Sequence, residues 1–302
     1  MSYQLVVCQK MVSITIDDVP NTARFENDGY QSVLLDKLDS LEIPIAIFIN
    51  EGLIYRTDSI SKNFALLNNW TEKGYITLGN HSFDHSRYST NGIDVFSNQI
   101  INGESISRQL AKKYKKPLKH FRFPYNDLGG NSIQHSQIKH FLKEKGYVIA
   151  PFTIESSDWM FNTVYKHYVY NKEFKKAKEI GDEYIIKTLE YFDFFEALGL
   201  EDYKRTINQV YLCHDNKINA DFLPQLVTEL RKREYTFISL EDALTDEVYQ
   251  QKDNYYKKWG VSWMYRWKST QKERASLMNQ EPSIEKIQIL YEKILKAIND
   301  TK

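Results

Sequence analysis

Five short polar clusters in this chain hold the residue types that metal and acid–base chemistry require, each at or just after a run of strand character. In an α/β barrel, that is where the loops converge on an active site. The first is Asp17-Asp18, between Val12-Ser-Ile-Thr-Ile16 and Val19-Pro20. Adjacent like charges repel, so the pair either serves a cation or base chemistry or stands in an ordinary turn before the proline. The second is Gly79-Asn-His81-Ser-Phe-Asp-His85, which spaces two of the chain's 7 histidines four residues apart. A helical segment would bring both to one cation, and Asp17 or Asp18 would complete a His, His, Asp set with positions left open for water and substrate. In His120-Phe-Arg122-Phe-Pro-Tyr125 an arginine interrupts an apolar run and needs a partner, either a carboxylate such as Asp17 or a structural ion pair across the barrel. Glu155-Ser-Ser-Asp158-Trp159 and Leu212-Cys-His214-Asp215 complete the set. An aspartate bonded to His214 would fix its tautomer and favour the imidazolium, making it a candidate general acid; the alternative is a hydrogen-bonded scaffold residue.

The elements that must position these clusters alternate. Runs 12–16, 45–49, 75–78, 120–123, 147–150, 210–213 and 235–238 are short and β-branched or aromatic, as strands are. Between them, 31–41, 63–73, 95–114, 134–145 and 223–233 have helical periodicity, several with basic or Lys-Gly ends suited to a helix C-terminus. Strand–helix alternation predicts βα units and a parallel sheet or barrel. A Lys/Glu/Tyr-rich helical excursion over about 162–207 breaks the rhythm. Beyond Asp246 the chain turns polar, with a terminal helix expected over 283–298. Trp259, Trp263 and Trp267 are spaced by four, which places them on one helical face that docks on the barrel in preference to binding sugar or membrane.

Composition narrows the partners. Lys plus Arg and Asp plus Glu both number 40, so no positive field gathers nucleic acid and no acidic excess marks a solvating tail. Cys8 and Cys213 sit far apart in apolar runs, which predicts free buried thiols instead of a disulfide framework or zinc-ligand spacing. No apolar run reaches spanning length, and residues 1–16 lack the pattern of an export signal. The chain reads as soluble, either cytoplasmic or exported through a leader removed beforehand.

In order, the five clusters read TIDDVP, HSFDH, RFPY, ESSDW and LCH. They resemble the five motifs of the polysaccharide deacetylase (NodB-homology) family, TFDDGP, H[ST]xxH, RxPY, DxxDW and LxH. The resemblance covers about the first 245 residues. It implies a distorted (β/α) barrel of about seven parallel strands over residues 1–245; the helical insertion within it, and a helical C-terminal extension over 246–302 packed on the barrel, follow from the chain's own pattern and not from the resemblance. It further implies a hydrolase that removes acetyl groups from an acetylated carbohydrate, N-acetylglucosamine units of a glycan first among them. One divalent metal, zinc ahead of cobalt, would be held by Asp18, His81 and His85. Asp17 would be the general base, oriented by Arg122, and His214 the general acid, tuned by Asp158. The Tyr125 backbone N–H would hold the oxyanion, while Trp159 and Leu212 would wall the acetyl-methyl pocket. Two positions depart from the pattern: Val19 replaces a glycine, so the turn there must avoid positive φ, and Glu155 replaces an aspartate. A cyclic-amide or ureide hydrolase on the same barrel and a catalytically silent glycan-binding module are the alternative readings.

Overall fold

Strands buried on both faces and linked mostly by helices have one stable solution, a parallel sheet covered on the outside. The computed structural model describes residues 9–300, with strands β1 (Lys10–Val19), β2 (Ile45–Ile49), β3 (Ile76–Asn80), β4 (Leu118–Phe121), β5 (Val148–Ile149), β6 (Ile154–Glu155), β7 (Gln209–His214) and β8 (Tyr235–Phe237). Every pairing is parallel. The order is β5-β4-β3-β2-β1-β7-β6, and β8 pairs with β1. Because β7 covers Val12–Asp17 on one edge of β1, β8 (on Lys10–Val12) and β2 (on Ile14–Val19) share the other edge. Each of the seven runs expected to be strands overlaps one; β6, only two residues long, carries no periodic signal and was not expected.

The two ends of this sheet, β5 and β6, are separated in sequence only by residues 150–153. Four residues span at most about 14 Å, so the sheet must curl into a distorted barrel with a seam. Backbone carbonyls along the seam lack ladder partners and are satisfied from elsewhere. Arg122 donates through Nε to Ala150 O (3.4 Å) and through Nη2 to Pro151 O (3.0 Å). Further on, the Trp263 N–H donates to Phe152 O (3.0 Å) and the Ser262 hydroxyl to Thr153 O (2.6 Å). The C-terminal segment therefore covers the seam.

The insertion is two packed helices, Asp158–Tyr170 and Phe174–Tyr203. The single helix expected over 95–114 is two, Tyr88–Asn102 and Ser105–Lys113. They part at Gly103, where a Cβ would stand 2.5 Å from the carbonyl carbon of Ser82, so the break lets the chain pass against the loop that carries the histidines. The expected single face of indoles is also corrected. The helix there is only Trp263–Arg266, Trp263 and Trp267 are buried, and Trp259 lies in irregular backbone with 57% exposure. The last helix, Glu285–Asp300, packs against Asp158–Tyr170, Tyr291 meeting Trp159 edge-on at 5.4 Å between ring centroids. Cys213 is buried and unpaired; Cys8 lies outside the described residues. Among the described residues, no helix is long and apolar enough to cross a membrane.

Candidate active site

Strand register brings the five clusters to one end of the barrel. Asp17 pairs with His214, Val19 with Ile49, Ile49 with Asn80, and Asn80 with Phe121, so His81 and Arg122 emerge at the same level. Asp17 is buried, and its Oδ1 accepts from Arg122 Nη1 at 2.9 Å. The same nitrogen donates to Thr15 Oγ1 at 2.6 Å, and the fully buried guanidinium lies 4.1 Å from the Phe48 ring centroid. Of the two alternatives for Arg122, the structure therefore shows the carboxylate partner Asp17. Asp18 takes φ +60°, a left-handed conformation that Asp tolerates better than most residues. Val19 stays in the strand opposite Ile49, so the positive φ falls on the carboxylate residue before it.

The histidine segment is a loop, so helical spacing is not what brings its two rings together. Positive φ at Ser82 (65°) and His85 (59°) folds it back, bringing the rings to 5.0 Å between centroids. His81 Nδ1 donates to Arg122 O at 2.8 Å. A carbonyl can only accept, so this bond leaves the Nε2 lone pair free. That Nε2 lies 3.8 Å from both Asp17 Oδ2 and Asp18 Oδ1, while His85 Nε2 is 3.4 Å from Asp18 Oδ1. Burial pushes His81 below the usual histidine range against the pull of Asp17. Burial, with the positive charges of His214, Arg56 and Arg87, takes His85 down to about 4. Both rings are thus neutral donors, and one ligand atom from each of Asp18, His81 and His85 lies within 4.8 Å of the others. Two imidazoles and one carboxylate suit a divalent cation of the zinc type and leave coordination positions free.

On the opposite wall His214 Nδ1 meets Asp158 Oδ1 at 2.6 Å. Asp158 is fully buried, and its Oδ2 accepts from His214 N (2.9 Å), Asn216 Nδ2 (2.8 Å) and Asn219 Nδ2 (2.6 Å). Burial opposes charge on His214, but Asp158 outweighs it and raises the imidazolium pKa to about 10. Asp215, next to His214 in sequence, turns away, its carboxylate taking Asn21 N (2.8 Å) and Arg24 Nη2 (2.5 Å).

Between these walls lies a cavity of about 680 Å³, reached by Asp17, Asp18, His81, His85, Tyr125, Trp159, Leu212 and His214. Arg122 and Asp158 stand behind it, bonded to Asp17 and His214. Three further wall residues have no role in the reading of the motifs. Glu155, pushed up to about 7 by burial and by Asp158, lines the cavity and accepts Ser157 N–H at 2.6 Å. Trp259 and Gly260 reach it from the C-terminal segment. A Cβ at Gly260 would stand 2.2 Å from Tyr125 O, a backbone approach that only glycine permits. The Arg87 guanidinium sits 3.9 Å from the Tyr125 ring centroid and donates to Lys258 O at 3.3 Å, tying the same loops together. A glycine directly after Trp259 was the available sequence signal, but nothing local says which barrel loop they would meet.

Known proteins resemble this chain in sequence and in fold. Residues 6–150 match the family model for polysaccharide deacetylase. The peptidoglycan-N-acetylmuramic acid deacetylase PdaA of Bacillus subtilis (strain 168) is 22% identical over 241 residues, 79% of this chain and 73% of that protein. The solved structure of Bacillus subtilis PdaA, a family 4 carbohydrate esterase, superposes with TM-score 0.50 at 21% identity, covering 78% of this chain and 81% of that one. A family 4 pseudoenzyme from Bacillus anthracis superposes with TM-score 0.53 at 14% identity, covering 78% and 66%. At such identities the structural likeness speaks for the fold, the NodB-type distorted barrel. The family match over residues 6–150 and the curated relative show that this chain carries a polysaccharide deacetylase domain of the NodB-homology carbohydrate-esterase kind, a class of hydrolases that act on acetyl groups.

Proposed function

We propose that this protein removes acetyl groups from the nitrogen of amino sugars in a glycan, N-acetylglucosamine units first among them, using one divalent cation held by Asp18, His81 and His85. Zinc is the leading candidate and cobalt the next. The observation that carries this reading is the convergence of three arrangements on one cavity: the His, His, Asp triad, the Arg122–Asp17 pair and the Asp158–His214 pair. The likeness to PdaA, a peptidoglycan-N-acetylmuramic acid deacetylase, supports a cell-wall glycan as the substrate class. Residues 1–245 form the deacetylase domain in this reading, and 246–302 an extension that serves it.

The chemistry that a cation in the triad supplies is polarisation of the acetyl carbonyl and a lowered pKa for water. Asp17 acts as base: Arg122 holds Oδ1, and Oδ2 faces the triad to take a proton from the attacking water. Arg122 fixes that carboxylate in place through a charge-assisted hydrogen bond. The Tyr125 backbone N–H assists the developing oxyanion, and Trp159 with Leu212 encloses the methyl group. His214, held as imidazolium by Asp158, delivers a proton to the leaving amine. Trp259, exposed at the cavity, offers its face to a sugar ring.

The test is acetate release from chitooligosaccharides, peptidoglycan and acetylated xylan, with protein stripped by chelator and reloaded with zinc or cobalt. Metal-dependent release that Asp17→Asn abolishes without loss of bound metal supports the reading. No acetate from any substrate, with one metal bound per chain, overturns it in favour of a cyclic-amide hydrolase or a silent binding module.

A further inference from the structure

A second cavity, of about 340 Å³, adjoins the first and shares Asp18, Asn21, His85 and Tyr125 with it. Its volume is within the range of ligand pockets. Trp159, His214 and Trp259 do not reach it; its other walls come from the segments after β1 and β2, with Asp84 from the loop after β3. Asn50 lines it with a side chain that is 1% exposed, and neither Oδ1 nor Nδ2 has a partner. A buried amide with both atoms unpaired is rare unless a ligand or an ordered water takes it up. Arg56 also lines this cavity; it is exposed and has no ion pair or side-chain hydrogen bond among the described residues. The one other charged side chain that is not shared with the first cavity is Asp84, whose Oδ1 is turned back to accept the Ser86 N–H at 3.1 Å.

Resting on the deacetylase reading above, we propose that this second cavity is a subsite for the sugar adjoining the one that is deacetylated, and that Arg56 there pairs with a carboxylate carried by that sugar. A glycan is linear, so when one unit presents its acetyl group to the triad, the next must lie along an adjoining wall. The cavity beyond Asp18 and His85 is such a wall. A guanidinium matches a carboxylate through two parallel hydrogen bonds, and the Asn50 amide can donate to and accept from a hydroxyl or amide substituent beneath it. The substrate class that fits is an acidic glycan in which the unit next to the reacting amino sugar bears a carboxylate, rather than a neutral homopolymer.

The experiment compares peptide-free peptidoglycan glycan strands with the same strands after their carboxylates have been converted to methylamides. Acetate release and calorimetric binding are both measured on the metal-loaded full chain. The expected result is a preference for the acidic strand of about tenfold or more, in proportion to a charge-assisted pair, which weakens as salt is raised. Arg56→Ala should bring the acid-to-amide ratio close to one, and Arg56→Lys should keep part of it. Equal handling of the two strands by the parent protein, or an unchanged ratio in Arg56→Ala, overturns the subsite. Charge-selective binding that depends on Arg56, with no acetate released, overturns the catalytic reading and leaves the subsite standing. Absence of both turnover and charge-selective binding overturns the two together.

Discussion

Asp158 holds His214 through two contacts at once, its Oδ1 2.6 Å from the imidazole Nδ1 and its Oδ2 2.9 Å from the backbone N–H of the same residue. The carboxylate thereby fixes the ring's orientation, tautomer and charge together. Asn216 and Asn219 hold the carboxylate in turn, so the proton on His214 is a property of four side chains.

His214 should consequently remain protonated across the neutral range. Its folded pKa is raised from 6.5 to about 10. The stabilisation from this pair is therefore fully present below pH 6.5 and lost as pH rises through about 10. In metal-free protein, the His214 ring-proton NMR shift should stay at its imidazolium value from pH 6 to 8. Asp158→Asn should move the titration downward and flatten the alkaline loss of denaturation midpoint. A parent midpoint unchanged up to pH 10 would contradict the assignment.

Removing one imidazole leaves two donors, too few to hold a cation against chelator. His81→Ala and His85→Ala should each reduce bound zinc from one per chain to well below that, as read by elemental analysis after dialysis. Acetate release should fall by at least about 100-fold. His140→Ala, on an exposed helix face, should retain the metal.

Arg122→Met leaves the Asp17 carboxylate buried without its partner and frees the Ala150 and Pro151 carbonyls of the seam. Breaking a buried pair from one side costs about 3–5 kcal/mol, so chemical denaturation should show a loss of that size. Asp17→Asn keeps a polar acceptor in the same place and should cost less. A smaller loss in Arg122→Met than in Asp17→Asn would mean that the guanidinium does not hold the seam.

Gly260→Ala drives a methyl group into the Tyr125 carbonyl. Because the loop is at the surface, stability should fall by only about 1–2 kcal/mol. The Tyr125 backbone would be displaced, so kcat should fall at least about tenfold. Trp259→Ala should instead raise KM for oligosaccharides while leaving kcat close to the parent value. Steady-state kinetics on one chitooligosaccharide separates the two outcomes.

At the other end of the barrel, Glu241 accepts from Thr77 Oγ1 (3.0 Å) and meets His120 Nε2 (3.2 Å). The hydrogen bond to His120 takes its carboxyl down from 4.5 to about 2. A depressed carboxyl stabilises above its unfolded pKa, and the contribution is lost as pH falls from 4.5 through about 2. Glu241→Gln should lower stability at pH 7 by about 1 kcal/mol, after discounting for partial exposure, and should flatten the acid limb of midpoint against pH. An acid limb unchanged in the variant would contradict this.

Much of the molecule was legible without coordinates, for physical reasons that differ by element. Strand β2 is apolar and buried at every position, and runs of that kind alternating with helical periods allow little besides a parallel βα sheet. The five clusters could be read because barrel topology sends every strand end to one face, so position along the chain implied position in space. Other features depended on long-range packing. The two histidines converge through left-handed residues in a loop, not through helical spacing, because Gly103 lets the following helices pack against that loop. That His214 takes Asp158, 56 residues away, and not the adjacent Asp215 was implied by the motif resemblance but by no local signal; it depends on which carboxylate β6, β7 and the Asp158–Tyr170 helix bury together. Trp259 and Gly260 reach the cavity because the C-terminal segment is drawn over the seam of the curled sheet, where unpaired carbonyls need donors. Local sequence encodes propensity and periodicity; which distant groups satisfy a buried charge or an open sheet edge is decided only when the chain closes on itself.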